Sequence, residues 1–363
     1  MKHFPGKLAL QQRVLPAYRA PFFDLLASAC DGGMSLFTGS PRPNEGITTA
    51  SQLQIADYRL GQNIHLFGGA FYLCHQKGLL DWLEEQDPDA LIVEANPRYL
   101  STPAAMQWMH ERDRPVIGWG LGSPPLSGPL AGFRQMRRLS FLREFDAMIA
   151  YSQRGADEYA HQGFPLDYLF VAHNSVSPSP TWQMPERPET FGEQPCVLFV
   201  GRLQARKNLD LLLGACAEIQ NVRLVIVGDG PERESLEILA GEIYPSAEFV
   251  GARHGAELKP YFVEADLFVL PGTGGLAVQE AMSYGLPVIV AQGDGTQDDL
   301  VRKENGWQIP PDDFEALVVT MKDALSDVAR LRRMGEESYR IVKEEINIEK
   351  MAETFVTALN SLK

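Results

Sequence analysis

Two cations, Arg202 and Lys207, flank a short turn between the apolar run 196–200 and an amphipathic stretch that opens at Leu209. Gly201 closes the run, and cations placed there can embrace a diphosphate, helped by the positive end of the helix that follows. A second apolar run, 224–227, passes into Gly228-Asp229-Gly230, where glycine allows close approach of the backbone to a ligand. The third glycine of a dinucleotide fingerprint is missing at the required spacing, so this turn does not specify a nicotinamide or flavin. A third run, 267–270, enters the loop Pro271-Gly272-Thr273-Gly274-Gly275-Leu276 and then a helical stretch stopped by Gly285-Leu286-Pro287. The loop amides of Thr273, Gly274, Gly275 and Leu276 form an anion site at a helix start. Glu280, one turn further in, can accept hydrogen bonds from two vicinal hydroxyls such as those of a ribose.

These turns need strands and helices to hold them. Runs 196–200, 223–227, 248–250, 267–270 and 288–291 read as strands, and 209–217, 233–240 and 277–284 as the helices between them. In the first half, 8–14, 90–93, 116–119 and 147–151 read as strands, and 75–85, 103–111 and 133–145 as helices. Strand and helix in alternation imply a parallel sheet covered on both faces. Prolines 178, 180, 185, 188 and 195 mark 178–195 as a linker. The expected architecture is therefore α/β, with two doubly wound, Rossmann-like domains (1–177 and 196–346) facing across a cleft. The final helix, 349–362, carries apolar residues at helical spacing, and residues 347–363 are expected to pack back onto the first domain.

At 363 residues the chain is long enough for two such domains. The net charge of −14 is uneven: residues 1–180 hold 15 Lys and Arg against 17 Asp and Glu, whereas residues 181–363 hold 18 against 30. So acidic a second half argues against nonspecific nucleic-acid binding. Any diphosphate there must be held by local cations and amides rather than by a broad positive field. Four scattered cysteines show no metal or disulfide spacing. No run of about 18 apolar residues marks a membrane span, and the expected location is the cytoplasm.

In their order and spacing, the three segments over residues 196–310 resemble the carboxy-terminal half of family 4 glycosyltransferases, whose two-domain fold is called GT-B. Weaker support comes from Arg19-Ala20-Pro21-Phe22-Phe23, Trp119-Gly120-Leu121-Gly122, Tyr151-Ser152 and His173-Asn174-Ser175-Val176. The resemblance implies a retaining glycosyltransferase, a hexosyltransferase of polysaccharide biosynthesis that moves a sugar from a nucleotide-diphosphate sugar to a glycan, lipid-linked or small-molecule acceptor. It implies that Arg202 and Lys207 hold the donor diphosphate, that Glu280 holds the ribose, and that backbone at Ala252 and Arg253 meets the base. On the acceptor side it points to Arg19, Gly122, Ser123 and Asn174. No metal triad or Asp-x-Asp signature stands out, so on this reading no metal or other cofactor is required. Gly272 stands where the family usually has a second glutamate, and Leu121 where many members have a histidine, so sugar recognition is expected to rest on loop amides, Thr273 or the other domain. A nucleotide-sugar epimerase, a sugar phosphorylase and a non-catalytic sugar-nucleotide or glycan-binding protein remain alternatives on this fold. Arg134, Arg137 and Arg138 share one face of the 133–145 helix and suggest peripheral contact with an anionic inner membrane face.

Overall fold

The computed structural model describes residues 2–128, 130–219, 221–293 and 295–362. They form two compact units: residues 1–176 with 348–363, and residues 177–347.

In the first unit, β1 (Leu8–Gln11), α1 (Ala20–Ser28), β2 (Met34–Thr38) and β3 (Asp57–Leu60) come first, followed by the pair β4 (Gln62–Leu66) and β5 (Leu73–Lys77). Next are α2 (Leu79–Gln86), β6 (Ala90–Glu94), α3 (Thr102–His110), β7 (Val116–Gly120), α4 (Ala131–Leu142), β8 (Ala147–Ala150), α5 (Gln153–His161) and β9 (Leu169–Val171). Seven strands make one sheet in the order β3-β2-β1-β6-β7-β8-β9, with every pairing parallel. Its central strands send alternate residues to opposite faces. Leu8, Leu10, Ala90, Ile92, Ala147 and Ile149 pack with α1, while Ala9, Leu91, Val93, Met148 and Ala150 pack with α2 and α3. Residues 73–77 are not the start of a helix: they pair antiparallel with β4, burying Cys74 and Gln76 on one side, and Gly78 at φ 85° breaks the chain before α2.

In the second unit, β10 (Cys196–Val200), α6 (Leu209–Ile219), β11 (Arg223–Val227), α7 (Arg233–Ile243), β12 (Glu248–Gly251), α8 (Lys259–Glu264) and β13 (Leu267–Leu270) are followed by α9 (Ala277–Ser283), β14 (Val288–Ala291), β15 (Gly306–Ile309), α10 (Phe314–Leu325) and α11 (Val328–Glu344). Its sheet is parallel in the order β12-β11-β10-β13-β14-β15, so connections leave in opposite directions on either side of the β10–β13 pair. Strands buried on both faces read as unbroken apolar runs, and all residues of β10, β13 and β14 are buried.

α12 (Ile348–Ser361) belongs to the first unit. Its Phe355 ring lies edge-on to Phe22 at 5.1 Å and to Trp119 at 5.0 Å. Residues 178–195, read from their prolines as a linker, group with the second unit. With so few backbone donors the segment attaches through side chains. The Arg187 guanidinium donates to the carbonyls of Phe262, Ala265 and Tyr284 at 2.8 to 3.0 Å, and Trp182 stacks on Tyr284. Burial pushes Arg187 down to about 10.

Candidate active site

In parallel α/β sheets, ligands are bound beyond the carboxyl ends of the strands, where the connections diverge. In the second unit that place is set by the turn after β10 and the loop after β13. The two are tied to each other. The Thr273 amide donates to Arg206 O at 3.0 Å, and Lys207 Nζ donates to Thr273 O at 2.9 Å and to Gly274 O. Lys207 is only 6% exposed, and burial, with Arg206 adding to it, lowers its ammonium to about 8. The Arg206 guanidinium reaches Thr273 O at 3.4 Å and lies against Gly274. Arg206 is not among the residues singled out from the sequence; its signal is adjacency to Lys207 in a three-residue 3-10 turn, Ala205–Lys207. Arg202 is exposed three residues ahead of this turn, directly after β10 and Gly201.

Gly272 is required by this contact. A Cβ there would lie 2.2 Å from Arg206 O and 2.5 Å from Lys207 Cα. A glutamate side chain at this position has no room in the loop, because the Lys207 turn occupies the space. Gly274 adopts φ 66°, a conformation that favours glycine. Gly275 presses on Leu270, and Leu276 is exposed at the start of α9.

The close approach at Gly228 and Gly230 is to a neighbouring loop. A Cβ on Gly228 would sit 1.9 Å from Gly201 O, and one on Gly230 would sit 2.2 Å from Leu203 O. Hydrogen bonds from Gly201 N to Val227 O and from Leu203 N to Asp229 O, each 3.0 Å, lock the two turns together. These glycines thus aim Arg202 by backbone packing. Beyond β12, Ala252 is exposed, and Arg253 and Arg233 bring Nη1 atoms within 3.9 and 3.2 Å of a Cβ position at Gly251.

Glu280 lies in α9, between the buried Gln279 and Ala281. Burial raises its carboxyl above the usual glutamate range, and among the described residues its carboxylate has no hydrogen-bond or ion-pair partner. A half-buried carboxylate left without donors is disposed to take them from a ligand.

The first unit has its own pocket at the ends of β6, β7 and β8, about 380 Å³ in volume. Gly122 and Ser123 line it, as do Glu94, Tyr99 and Tyr159, which sequence reasoning does not single out. Gly122, at φ 131°, donates its N–H to Tyr159 Oη at 3.2 Å and packs against Gly155 of α5. Ser123 is buried and accepts from Arg138 Nη1 at 3.3 Å. Glu94 Oε2 accepts from Arg13 N at 2.9 Å, and burial raises its carboxyl. Its only sequence signal is a charge directly after four apolar residues.

Arg19 and Asn174 are brought together, but as a staple. The buried Arg19 guanidinium donates to Asn174 Oδ1, to Ser175 O at 3.0 Å and to Met351 Sδ of α12, with its cation over the Trp119 ring at 5.5 Å. Among the described residues no group of three or more His, Cys, Asp or Glu is arranged to hold a metal ion, and no helix is long and apolar enough to cross a membrane.

Comparison with known proteins places this geometry. The model of the family "Glycosyl transferases group 1" matches residues 181–341. The GDP-mannose-dependent alpha-mannosyltransferase of Mycobacterium tuberculosis is 33% identical over 214 residues, 57% of this chain and 54% of that protein. Sulfoquinovosyl transferase SQD2 of Arabidopsis thaliana is 36% identical over 37% of this chain and 27% of its own. The chain thus spans about half of the first relative and about a quarter of the second. Among solved structures, Anabaena HepE in complex with UDP superposes with a TM-score of 0.73 at 16% identity over 99% of this chain and 100% of that one. Sucrose-phosphate synthase of Thermosynechococcus elongatus gives 0.69 at 20% identity over 98% of each. At such identity the likeness is one of fold, the GT-B fold of two Rossmann-like α/β units. Residues 181–341, the part of the chain that the glycosyl transferases group 1 model matches, carry Arg202, Lys207, the glycine-rich loop and Glu280.

Proposed function

We propose that the chain is a retaining glycosyltransferase of the hexosyltransferase type that uses a nucleotide-diphosphate sugar, with the donor held by the second unit and a glycan, lipid-linked or small-molecule acceptor by the first. The observation that carries this reading is the pairing of a partnerless, half-buried carboxylate at Glu280 with the cationic Arg202–Lys207 turn, on the same divergent strand ends. Glu280 accepts from the ribose hydroxyls, while Arg202 and the remaining N–H of Lys207 face the diphosphate. During transfer the bond from the sugar's anomeric carbon to the β-phosphate oxygen breaks, and a bond from that carbon to the acceptor hydroxyl oxygen forms on the same face. The acceptor proton passes to the departing phosphate oxygen and the nucleoside diphosphate leaves. The protein's share is positioning and stabilisation of the charge that grows on the leaving group. HepE was solved in complex with UDP, and the Mycobacterium tuberculosis mannosyltransferase is GDP-mannose-dependent, so the sugar conjugates of these two nucleotides are the first donors to try.

A thermal-shift screen against nucleotide sugars, followed by product analysis, tests the reading. A donor at 100 times its dissociation constant adds about 2.7 kcal/mol of stability. No shift with any donor, or a shift without transfer or hydrolysis across acceptors, overturns it.

Glu280→Gln separates binding from folding. Its carboxyl is raised in the fold, so the folded chain holds that proton more tightly than the unfolded chain; the destabilisation is present above the raised value and disappears as pH falls through it. The amide removes that cost, and stability at neutral pH should rise by an amount on the order of 1 kcal/mol, while donor affinity falls about tenfold or more. Unchanged donor affinity by calorimetry would remove Glu280 from the site.

Lys207 gives a pH dependence of opposite sign. Its ammonium, lowered to about 8 by burial, loses its proton in the fold before it does in the unfolded chain. The cost of burying the cation is complete below 8 and is relieved as pH rises from there towards lysine's ordinary 10.5. Diphosphate affinity follows the cation and should fall across the same window in a titration with free nucleoside diphosphate. A flat profile from pH 7 to 10 would show that Lys207 contributes no charge to binding.

A further inference from the structure

Beside the pocket at the ends of β6–β8, and sharing Pro97, Arg98 and Arg138 with it, runs a groove of about 1100 Å³. Four arginines line it: Arg98 from the loop after β6, and Arg134, Arg137 and Arg138 from α4. The three α4 arginines, which helix spacing puts on one face, line this groove together, with Arg134 and Arg137 exposed. Among the described residues none of the four is paired with a carboxylate. Arg134 reaches only Ser127 O, Arg138 is bound to Ser123 Oγ and Pro124 O, and the guanidinium groups of Arg98 and Arg137 have no hydrogen-bond partner there. Burial and then repulsion from Arg134 depress Arg138, with Arg98 adding to it; Glu158 and Tyr159 act in the opposite direction. The carboxylates that do line the groove are Glu111, engaged by Gln107 Nε2 at 2.8 Å, and Glu144.

So many unneutralised guanidiniums are costly in a free protein and are relieved by a bound anion, for which their planar forks are suited. Leu100, Met106 and Phe141 add apolar wall, beside the polar Gln107, His110 and Ser140. The groove leads to a smaller cavity that shares Leu73 and Arg98 and is bounded by Phe67 and Phe71, which are 75% and 80% exposed. Exposed aromatic side chains gathered beside a groove mark a binding surface.

We infer that this groove binds a single amphiphile that carries a phosphate or diphosphate, with the anion on Arg98, Arg137 and Arg138 and the apolar chain along Leu100, Met106 and Phe141. The inference rests on the proposed glycosyl transfer and narrows its acceptor to a phosphate-bearing amphiphile whose reacting end enters the adjoining 380 Å³ pocket.

The test is calorimetry on the full chain with three probes: monomeric decyl diphosphate, decyl glucoside and inorganic diphosphate. Decyl diphosphate should bind at least about tenfold more tightly than either of the others, and Arg98→Gln and Arg137→Gln should each weaken it about tenfold. Both side chains are exposed and outside the fold's hydrogen bonds, so the variants should melt with the wild type. Donor binding in the same variants should be unchanged, which separates failure here from failure of the donor site. Equal affinity for inorganic diphosphate would reduce the groove to an anion site and overturn the amphiphile. Binding to phosphatidylglycerol vesicles without binding to monomeric decyl diphosphate would make it a membrane surface and overturn the single-molecule groove. Decyl diphosphate affinity that ignores both substitutions would overturn the site.

Discussion

Replacing Lys207 with alanine will lower kcat by about two to three orders of magnitude, the loss typical of removing one stabiliser of developing negative charge. Two separate consequences make this the largest effect expected in the second unit. The first is electrostatic: the cation that would face the leaving diphosphate is gone. The second is mechanical, because Nζ holds the Thr273 and Gly274 carbonyls and the loop loses its tie to the turn after β10. Arg202→Ala should share the first loss while leaving the Lys207 bonds to the loop in place. Hydrogen exchange distinguishes the two. The Thr273 amide, bonded to Arg206 O in the wild type, should exchange faster in the Lys207 variant and at the wild-type rate in the Arg202 variant. Stability should change little in either: deleting the buried Lys207 ammonium also deletes its desolvation cost, and Arg202 is exposed. Turnover within twofold of wild type in Lys207→Ala would refute the assignment.

The contrast between what is legible in the sequence and what is not follows from burial. β10, β13 and β14 are buried on both faces and are solid apolar runs, and β11 is one after its first residue, Arg223, so their bounds are readable to the residue. β3 and β4 are mostly exposed, with burial patterns that leave no apolar signature, and β5 reads as helix because it abuts α2. The helices α10 and α11 lie beyond the three motifs, where no chemistry draws attention to their periodicity. In the site, residue type is legible and partnership is not. Arg202, Lys207 and Glu280 are visible as charges beside glycines. That Lys207 spends two donors on loop carbonyls, that Gly228 and Gly230 serve a neighbouring turn, and that Arg19 is consumed by Asn174, Ser175 and Met351 are long-range facts. Arg138 shows the same limit: spacing on α4 places it with Arg134, but its guanidinium turns back to Ser123.

Gly272→Glu, which installs the glutamate usual in family 4 at this place, will impair the chain rather than improve it. The new Cβ would stand 2.2 Å from Arg206 O and 2.5 Å from the Lys207 backbone, closer than real Cβ contacts, and both neighbours are main chain that cannot rotate aside. The turn of residues 205–207 must therefore move. When it does, the Thr273 amide and the Lys207 ammonium lose their partners together, so the substitution reproduces the loop release of Lys207→Ala and adds strain. Overpacking of this kind costs about 1 to 3 kcal/mol, and a unit of this size melts about 2 to 4 °C lower for each kcal/mol. Gly272→Ala isolates the cause, because it brings the same Cβ without the carboxylate. It should lose most of the stability and activity that Gly272→Glu loses. Combined with Lys207→Ala it should cost less than the sum of the two single changes, since both break one contact. The glycine and the lysine are in this view a matched pair: the turn that carries the cation fills the space a side chain at residue 272 would need. A Gly272→Glu variant with wild-type melting and faster turnover would show that the turn moves freely and that the pairing has no bearing on the site.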